Sequence, residues 1–225
     1  MNYFFFGLAF ALAVLDWIAV AQKWKKLEYF AKPATMVALL AFVIQNGGLG
    51  GGMLWFTLGL ALSLAGDVFL MLPKEQFIAG LVSFLLAHVA YIVGLSPRLP
   101  ADTAMRLIAL GLALILALTA AQIYRRIAAG LRAGGKARLR APVLVYSIVI
   151  SIMLFSAMLT LLSNRWFSVH ALTVCAGAAL FFLSDTILAW NRFVSPMRYG
   201  RLMNMATYHL GQLLIALGAM THFFR

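Results

Sequence analysis

Acid is scarce in this chain. Aspartate and glutamate together number 6, against 18 lysines and arginines, and charged residues of both signs make up only 11% of the sequence. A soluble domain carries roughly a quarter, so a water-facing globule is excluded. Cysteine is almost absent as well. A single Cys175 rules out an intrachain disulfide and a cysteine metal cluster, and its mid-span position reads as a small buried apolar residue. Several catalytic signatures are missing too. No His-Glu-x-x-His zinc motif occurs, and "GLSPR" and "LLSNR" lack the glycine pair of a serine hydrolase elbow. The glycine-rich "QNGGLGGGM" lacks the Gly-Lys-Ser/Thr ending of a phosphate loop and reads as a connection.

What remains is apolar. Hydrophobic residues make up 64% of the chain, and spanning a membrane takes about 20 of them in a row, sometimes fewer. Eight candidate helices follow, near 3–22, 33–46, 53–72, 77–95, 103–123, 142–163, 168–190 and 200–223. The fold class is therefore an all-α polytopic membrane protein, a single domain over 1–225. The first run has no basic leader and no small-residue cleavage site, so it reads as a retained helix.

The net charge of +12 could suggest nucleic acid. Its placement argues against that partner. Fourteen of the 18 basic residues lie in or beside the first, third, fifth and seventh connections, with the densest group in "RRIAAGLRAGGKARLRAP". Lysine and arginine concentrate in cytoplasmic connections, so the odd connections face the cytoplasm and an even helix count puts both termini outside.

Against this background, "LSLAGDVFLMLP" and "ALFFLSDTILAW" stand out, because each sets an aspartate, Asp67 or Asp185, inside an apolar run. An ionisable residue within a span costs on the order of 2.5–3.5 kcal/mol and usually faces a bundle interior or a wet cavity. Both aspartates fall about one and a half turns before the inner end of their helix, which predicts similar depth, roughly 8–10 Å in. Each is followed by a helix carrying a histidine, His88 or His209, which hints at a 4+4 helix repeat. Gly80, Phe84, His88 and Tyr91 share one helical face, and so do Tyr208 and Gln212. Tyr146 opens the sixth helix on the same side. Lys32 precedes Pro33, a residue suited to a first helical turn. Asn191 and Arg192 close the seventh helix, and Ser184 adjoins Asp185.

Each residue has a plainer reading. A lone aspartate can pair with a cation to hold helices together, tyrosines can mark the interface, glutamine can join helices, and Lys32 and Arg192 can be topology markers. Asp16, His170 and His222 read as structural. Asp67, His88, Asp185 and His209 include metal-ligand types, but their spacing is not that of a metal motif, and no metal is expected. Two carboxylates in different surroundings are the ingredients of an acid and a base. A lipid or solute transporter, with polar groups near mid-membrane, stays open beside an enzyme.

Four stretches carry a resemblance. "KP" at 32–33, "GDVFLMLPKEQFIAGLVSFLLAHVAY" at 66–91, "SDTILAWNRF" at 184–193 and "TYHLGQLLI" at 207–215 together resemble the YhhN/TMEM86 family of multi-pass membrane proteins. "TYHLGQ" departs from the family pattern, which has a second tyrosine and a small residue before the glutamine, so no shared role is assigned to His209. The resemblance implies a lysoplasmalogenase, which hydrolyses the vinyl ether of a lysophospholipid without a cofactor. It implies Asp67 and Asp185 as the acid–base pair with His88 beside them. Lys32, Tyr91, Tyr146, Ser184, Asn191, Arg192, Tyr208 and Gln212 would hold substrate or water, and membrane lipids would surround the bundle. Hydrolysis of a different lysolipid stays open. Short connections suit a bacterial inner membrane.

Overall fold

The structure is a computed structural model that describes residues 1–72 and 76–224. Eight α-helices and one short 3-10 turn make up the described residues, with no strand among them. The helices are α1 (Phe4–Gln22), α2 (Lys25–Gln45), α3 (Met53–Met71), α4 (Phe77–Leu95), α5 (Thr103–Ala133), α6 (Arg140–Leu161), α7 (Ser168–Phe193) and α8 (Gly200–Phe223). In lipid every backbone polar group needs an internal partner, and long helices satisfy that requirement within a single segment. Seven of them are long and apolar enough to cross a membrane. The eighth, α8, is 24 residues long but less apolar, because it carries Asn204, His209 and Gln212 into the interior of the bundle.

Three boundaries differ from the sequence expectation, and each matters for the site. Helix α2 begins at Lys25, not at residue 33, so Pro33 lies inside it. Proline there removes one helical hydrogen bond, yet the helix continues, and Lys32 sits one turn beyond Glu28 on the same face. Helix α5 extends to Ala133 and takes half of the basic connection with it. At about 46 Å it exceeds the roughly 30 Å of hydrocarbon, so its basic end projects. Helix α7 runs on to Phe193, which places Asn191 and Arg192 within the helix rather than after it. Lys74, the one basic residue of the third connection, lies outside the described residues, with Pro73 and Glu75.

The bundle is built from close antiparallel hairpins, α1–α2, α3–α4 and α7–α8. Small residues set how near their helices come, as in membrane packing generally. A Cβ on Gly177 would lie 2.7 Å from the backbone nitrogen of Ile215 and 2.8 Å from the carbonyl oxygen of Gly211. On α3, a Cβ on Gly66 would lie 2.7 Å from the ring of Phe84, beside the aspartate at position 67. By contrast, α5 packs only on α6, α7 and the 3-10 turn among the described elements. No residue between Ala109 and Ile127 of α5 is buried.

Candidate active site

Asp67 and Asp185 both reach the basic end of the bundle, but not at the same distance from their helix ends. Asp67 is four residues from the end of α3 and Asp185 eight from the end of α7, about 6 and 12 Å. The expectation of equal spacing fails because α7 is longer than its apolar run. The two side chains nevertheless line one chamber.

Asp67 is fully enclosed. Lys32 of α2 places its ammonium 2.9 Å from Oδ1, and the Tyr208 hydroxyl of α8 donates to Oδ2 at 2.6 Å. The Lys32 ammonium also lies 5.9 Å from the centre of the Tyr208 ring. Two carboxylate oxygens thus have two different donors from two different helices. This arrangement satisfies a buried charge by pairing and hydrogen bonding together.

Asp185 has different company. The Tyr146 hydroxyl of α6 donates to Oδ2 in a short hydrogen bond. His88 Nε2, from α4, lies 3.3 Å from the same oxygen and 3.0 Å from the Tyr146 hydroxyl. His88 Nδ1 is buried with no protein partner among the described residues, so Nε2 is the ring nitrogen that meets Asp185 and Tyr146. The Phe181 ring, 4.7 Å from the imidazole, fixes its plane. The hairpins exchange support: Asp67 of α3 meets Tyr208 of α8, and Asp185 of α7 meets His88 of α4.

Two cavities meet at Asp185. The first is a chamber of about 590 Å³ with charged walls: Glu28, Lys32, Asp67, Asp185, Arg192 and Arg201, with Ser184, Asn191, Asn204 and Tyr208 between them. The second is a narrow slot of about 70 Å³ between α4, α5, α6 and α7. Its walls are mostly apolar, with Leu81, Ile123, Ile127, Val143, Ile150 and Phe182 among them, and Tyr146 beside Asp185. Asp185, Arg192, Leu188, Leu70, Phe77 and Phe84 belong to both. An apolar groove of about 450 Å³ between α5 and α6 continues the slot through the shared residues Ala120, Ser147 and Ser151. A molecule with a charged head and a long apolar tail fits this sequence of spaces, with Asp185 at the change of polarity.

Most of the expected site residues converge here, and two do not. Ser184 and Asn204 are bonded to each other: Asn204 Nδ2 donates to the Ser184 carbonyl and hydroxyl oxygens, both at 2.8 Å. Asn191 accepts from the backbone N–H of Met197 at 2.7 Å and so shapes the turn into α8. Arg192 lies over the Phe77 ring at 4.4 Å. Tyr91 and Gln212 line neither cavity. The Tyr91 hydroxyl donates to Gln212 Oε1 at 2.7 Å deep in the core, so these two side chains join α4 to α8 behind the chamber.

Three residues escaped the sequence reading: Glu28, Arg201 and Asn204. The signal for Glu28 was its spacing of four from Lys32, hidden once α2 was taken to start at Pro33. Asp16 and His209 form a separate buried pair with Oδ2 and Nδ1 3.9 Å apart, and Trp17 Nε1 donates to His209 Nδ1 at 3.2 Å. His222 stacks on Trp166 at 3.7 Å, a packing role. The described residues hold no group of three His, Cys, Asp or Glu side chains placed to bind a metal ion.

The model of the YhhN family matches residues 27–219. Lysoplasmalogenase TMEM86B of Mus musculus is 31% identical over 219 residues, covering 96% of this chain and 84% of that protein. Its Homo sapiens counterpart is 29% identical over 200 residues, 87% of this chain and 77% of that protein. A protein of Mycobacterium bovis named lysoplasmalogenase is 32% identical over 170 residues, 72% of this chain and 58% of that protein. No solved structure matches the chain.

Proposed function

The chain belongs to the YhhN family, and from that premise we propose that it hydrolyses the vinyl ether of lysoplasmalogens, releasing a fatty aldehyde and glycerophosphocholine or glycerophosphoethanolamine. The observation that carries this reading is the position of Asp185, where a charged chamber passes into an apolar slot. In a lysoplasmalogen the vinyl ether stands at just that change, between a polar glycerophospho head and an aliphatic tail. The names of the relatives agree with it. By the concentration of arginine and lysine at the chamber's end of the bundle, that end faces the cytoplasm, in a bacterial inner membrane.

The chemistry asks for a proton donor and a partner for positive charge. The carboxyl of Asp185, held by Tyr146 and His88, supplies the proton to the β-carbon of the vinyl ether. The C=C π pair forms the new C–H bond, and the ether oxygen shares the positive charge as an oxocarbenium ion. Asp67, ionised against Lys32, faces the same chamber, stabilises that cation and takes a proton from water as it adds to the α-carbon. The hemiacetal then collapses. Its hydroxyl proton is lost, the C–O bond to glycerol breaks, and the departing oxygen takes up a proton. Aldehyde and alcohol leave, and Asp185 regains its proton from the chamber, to which Asp67 returns the one it took. Lys32, Arg192 and Arg201 surround the phosphate end as charge-assisted donors.

Hydrolysis in deuterium oxide with immediate reduction of the aldehyde tests this route. One deuterium on the carbon next to the former carbonyl is expected, with the matched alkyl ether left uncut. Cleavage of the alkyl ether at a comparable rate, or an aldehyde with no deuterium at that carbon, would contradict β-protonation.

A further inference from the structure

The chamber holds one carboxylate that the hydrolytic steps do not use. Glu28 lies in the first turns of α2 and is buried, although it is one of only 6 acidic residues in the chain. Arg201, in the first turn of α8, donates to Glu28 Oε1, while its own side chain is 64% exposed at the chamber's edge. Both line the chamber. Lys32 lies one turn further along α2 and points to the same space, so α2 offers an anion and then a cation on one face.

The charge balance of that space is unlike the rest of the chain. The protein as a whole carries +12, yet the charged residues lining the chamber among those described are three acids, Glu28, Asp67 and Asp185, and three bases, Lys32, Arg192 and Arg201. A cavity evolved only to hold a phosphate needs no buried carboxylate near its mouth, because a like charge there repels the ligand. A cavity for a group carrying both a phosphate and a cationic nitrogen needs one. Asp67 is committed to Lys32 and Tyr208, and Asp185 to Tyr146 and His88. Glu28 is the remaining carboxylate, and its partner Arg201 is solvent-exposed and able to turn toward a phosphate.

We propose that Glu28 accepts the cationic nitrogen of a choline or ethanolamine headgroup while Arg201 and Lys32 hold its phosphate, so that the chamber selects zwitterionic lysolipids over anionic ones. This rests on the chamber being the headgroup end of the hydrolase site described above. Arg201 keeps Glu28 paired when the chamber is empty, and substrate replaces that pair with two of its own.

The test separates the two claims. Native mass spectrometry of the detergent-purified chain is run with an equimolar mixture of two uncleavable alkyl ether lysolipids of the same tail. One carries phosphoethanolamine and the other phosphoglycerol. The ratio of bound forms is read in a single spectrum, so partition into detergent affects both alike. The parent is expected to favour phosphoethanolamine by about tenfold or more, the scale of one hydrogen bond between charged groups. Glu28→Gln is expected to bring the ratio to within about twofold of one. Arg201→Gln is expected to lower occupancy by both lipids while preserving the preference. If Glu28 only ties α2 to α8, Glu28→Gln lowers the melting temperature and leaves the ratio as it was, which overturns the proposal; so does a parent with no preference. Aldehyde release from the vinyl ether is followed in parallel. Headgroup selection that depends on Glu28 without any aldehyde would retain this proposal and remove the hydrolase reading. Aldehyde with a ratio indifferent to Glu28 would do the reverse.

Discussion

Replacing Lys32 by methionine isolates the ion pair at the centre of the site. The ammonium and the Asp67 carboxylate are 2.9 Å apart, with side chains only 7% and 1% exposed. At an effective dielectric constant of about 20 their attraction is roughly 6 kcal/mol, most of which offsets the cost of taking both charges out of water. The pair is therefore worth little against a well-packed neutral pair, but removing one member strands the other. Lys32→Met should cost about 3–5 kcal/mol. For a chain of this length that is roughly 6–20 °C in melting temperature. Lys32→Met combined with Asp67→Asn should recover most of this loss, because the introduced amide keeps an oxygen for the Tyr208 hydroxyl and no charge is stranded. Melting curves of the parent, both single variants and the double variant in one detergent close the cycle. A double variant whose loss equals the sum of the single losses would refute the pairing. Both single variants and the double should lack hydrolytic activity, so the stability rescue should come without a rescue of turnover.

Other consequences follow from the same geometry. Tyr146→Phe keeps the ring and removes the donor to Asp185, and should lower kcat by about 10–100-fold with a smaller change in KM, read from aldehyde release. Ala120→Trp should fill the passage between slot and groove and slow long-chain vinyl ethers more than short ones, which competition between two tail lengths would reveal. Gly177→Ala should destabilise by about 1–3 kcal/mol, since its Cβ meets the backbone of α8 at 2.7–2.8 Å. Gly111→Ala meets nothing within 4 Å and should be neutral or stabilising by up to about 1 kcal/mol. Equal melting temperatures for these two glycine variants would undercut the close α7–α8 contact.

Much of the fold was legible because the bilayer demands long apolar runs, and those runs sit where the helices sit. Boundaries were less so. The stretch from Lys25 to Lys32 carries four charges and reads as a connection, yet it is helical, since its charges either project from the membrane or, like Glu28 and Lys32, find partners inside. The basic tail of α5 is helical for a related reason: water beyond the bilayer accepts its arginines. The two aspartates were conspicuous as isolated acids in apolar runs. Their partners Lys32, Tyr208, Tyr146 and His88 were among the candidates, but which of them meets which aspartate was not legible, because that is fixed by packing between distant segments. Tyr91 and Gln212 shared helical faces with the other candidates, but their side chains meet each other across the core and line neither cavity. Glu28 and Arg201 are 173 residues apart, and nothing in either neighbourhood signals the other.

We propose that two intramembrane aspartates at the meeting of chamber and slot cleave a vinyl ether. The most direct test is aldehyde release by the purified chain from choline lysoplasmalogen, with Asp67→Asn and Asp185→Asn beside the parent and circular dichroism confirming that all three are folded. Aldehyde is expected from the parent, with a loss of at least about 100-fold in each variant. Turnover at the parent's rate by either folded variant would contradict this proposal.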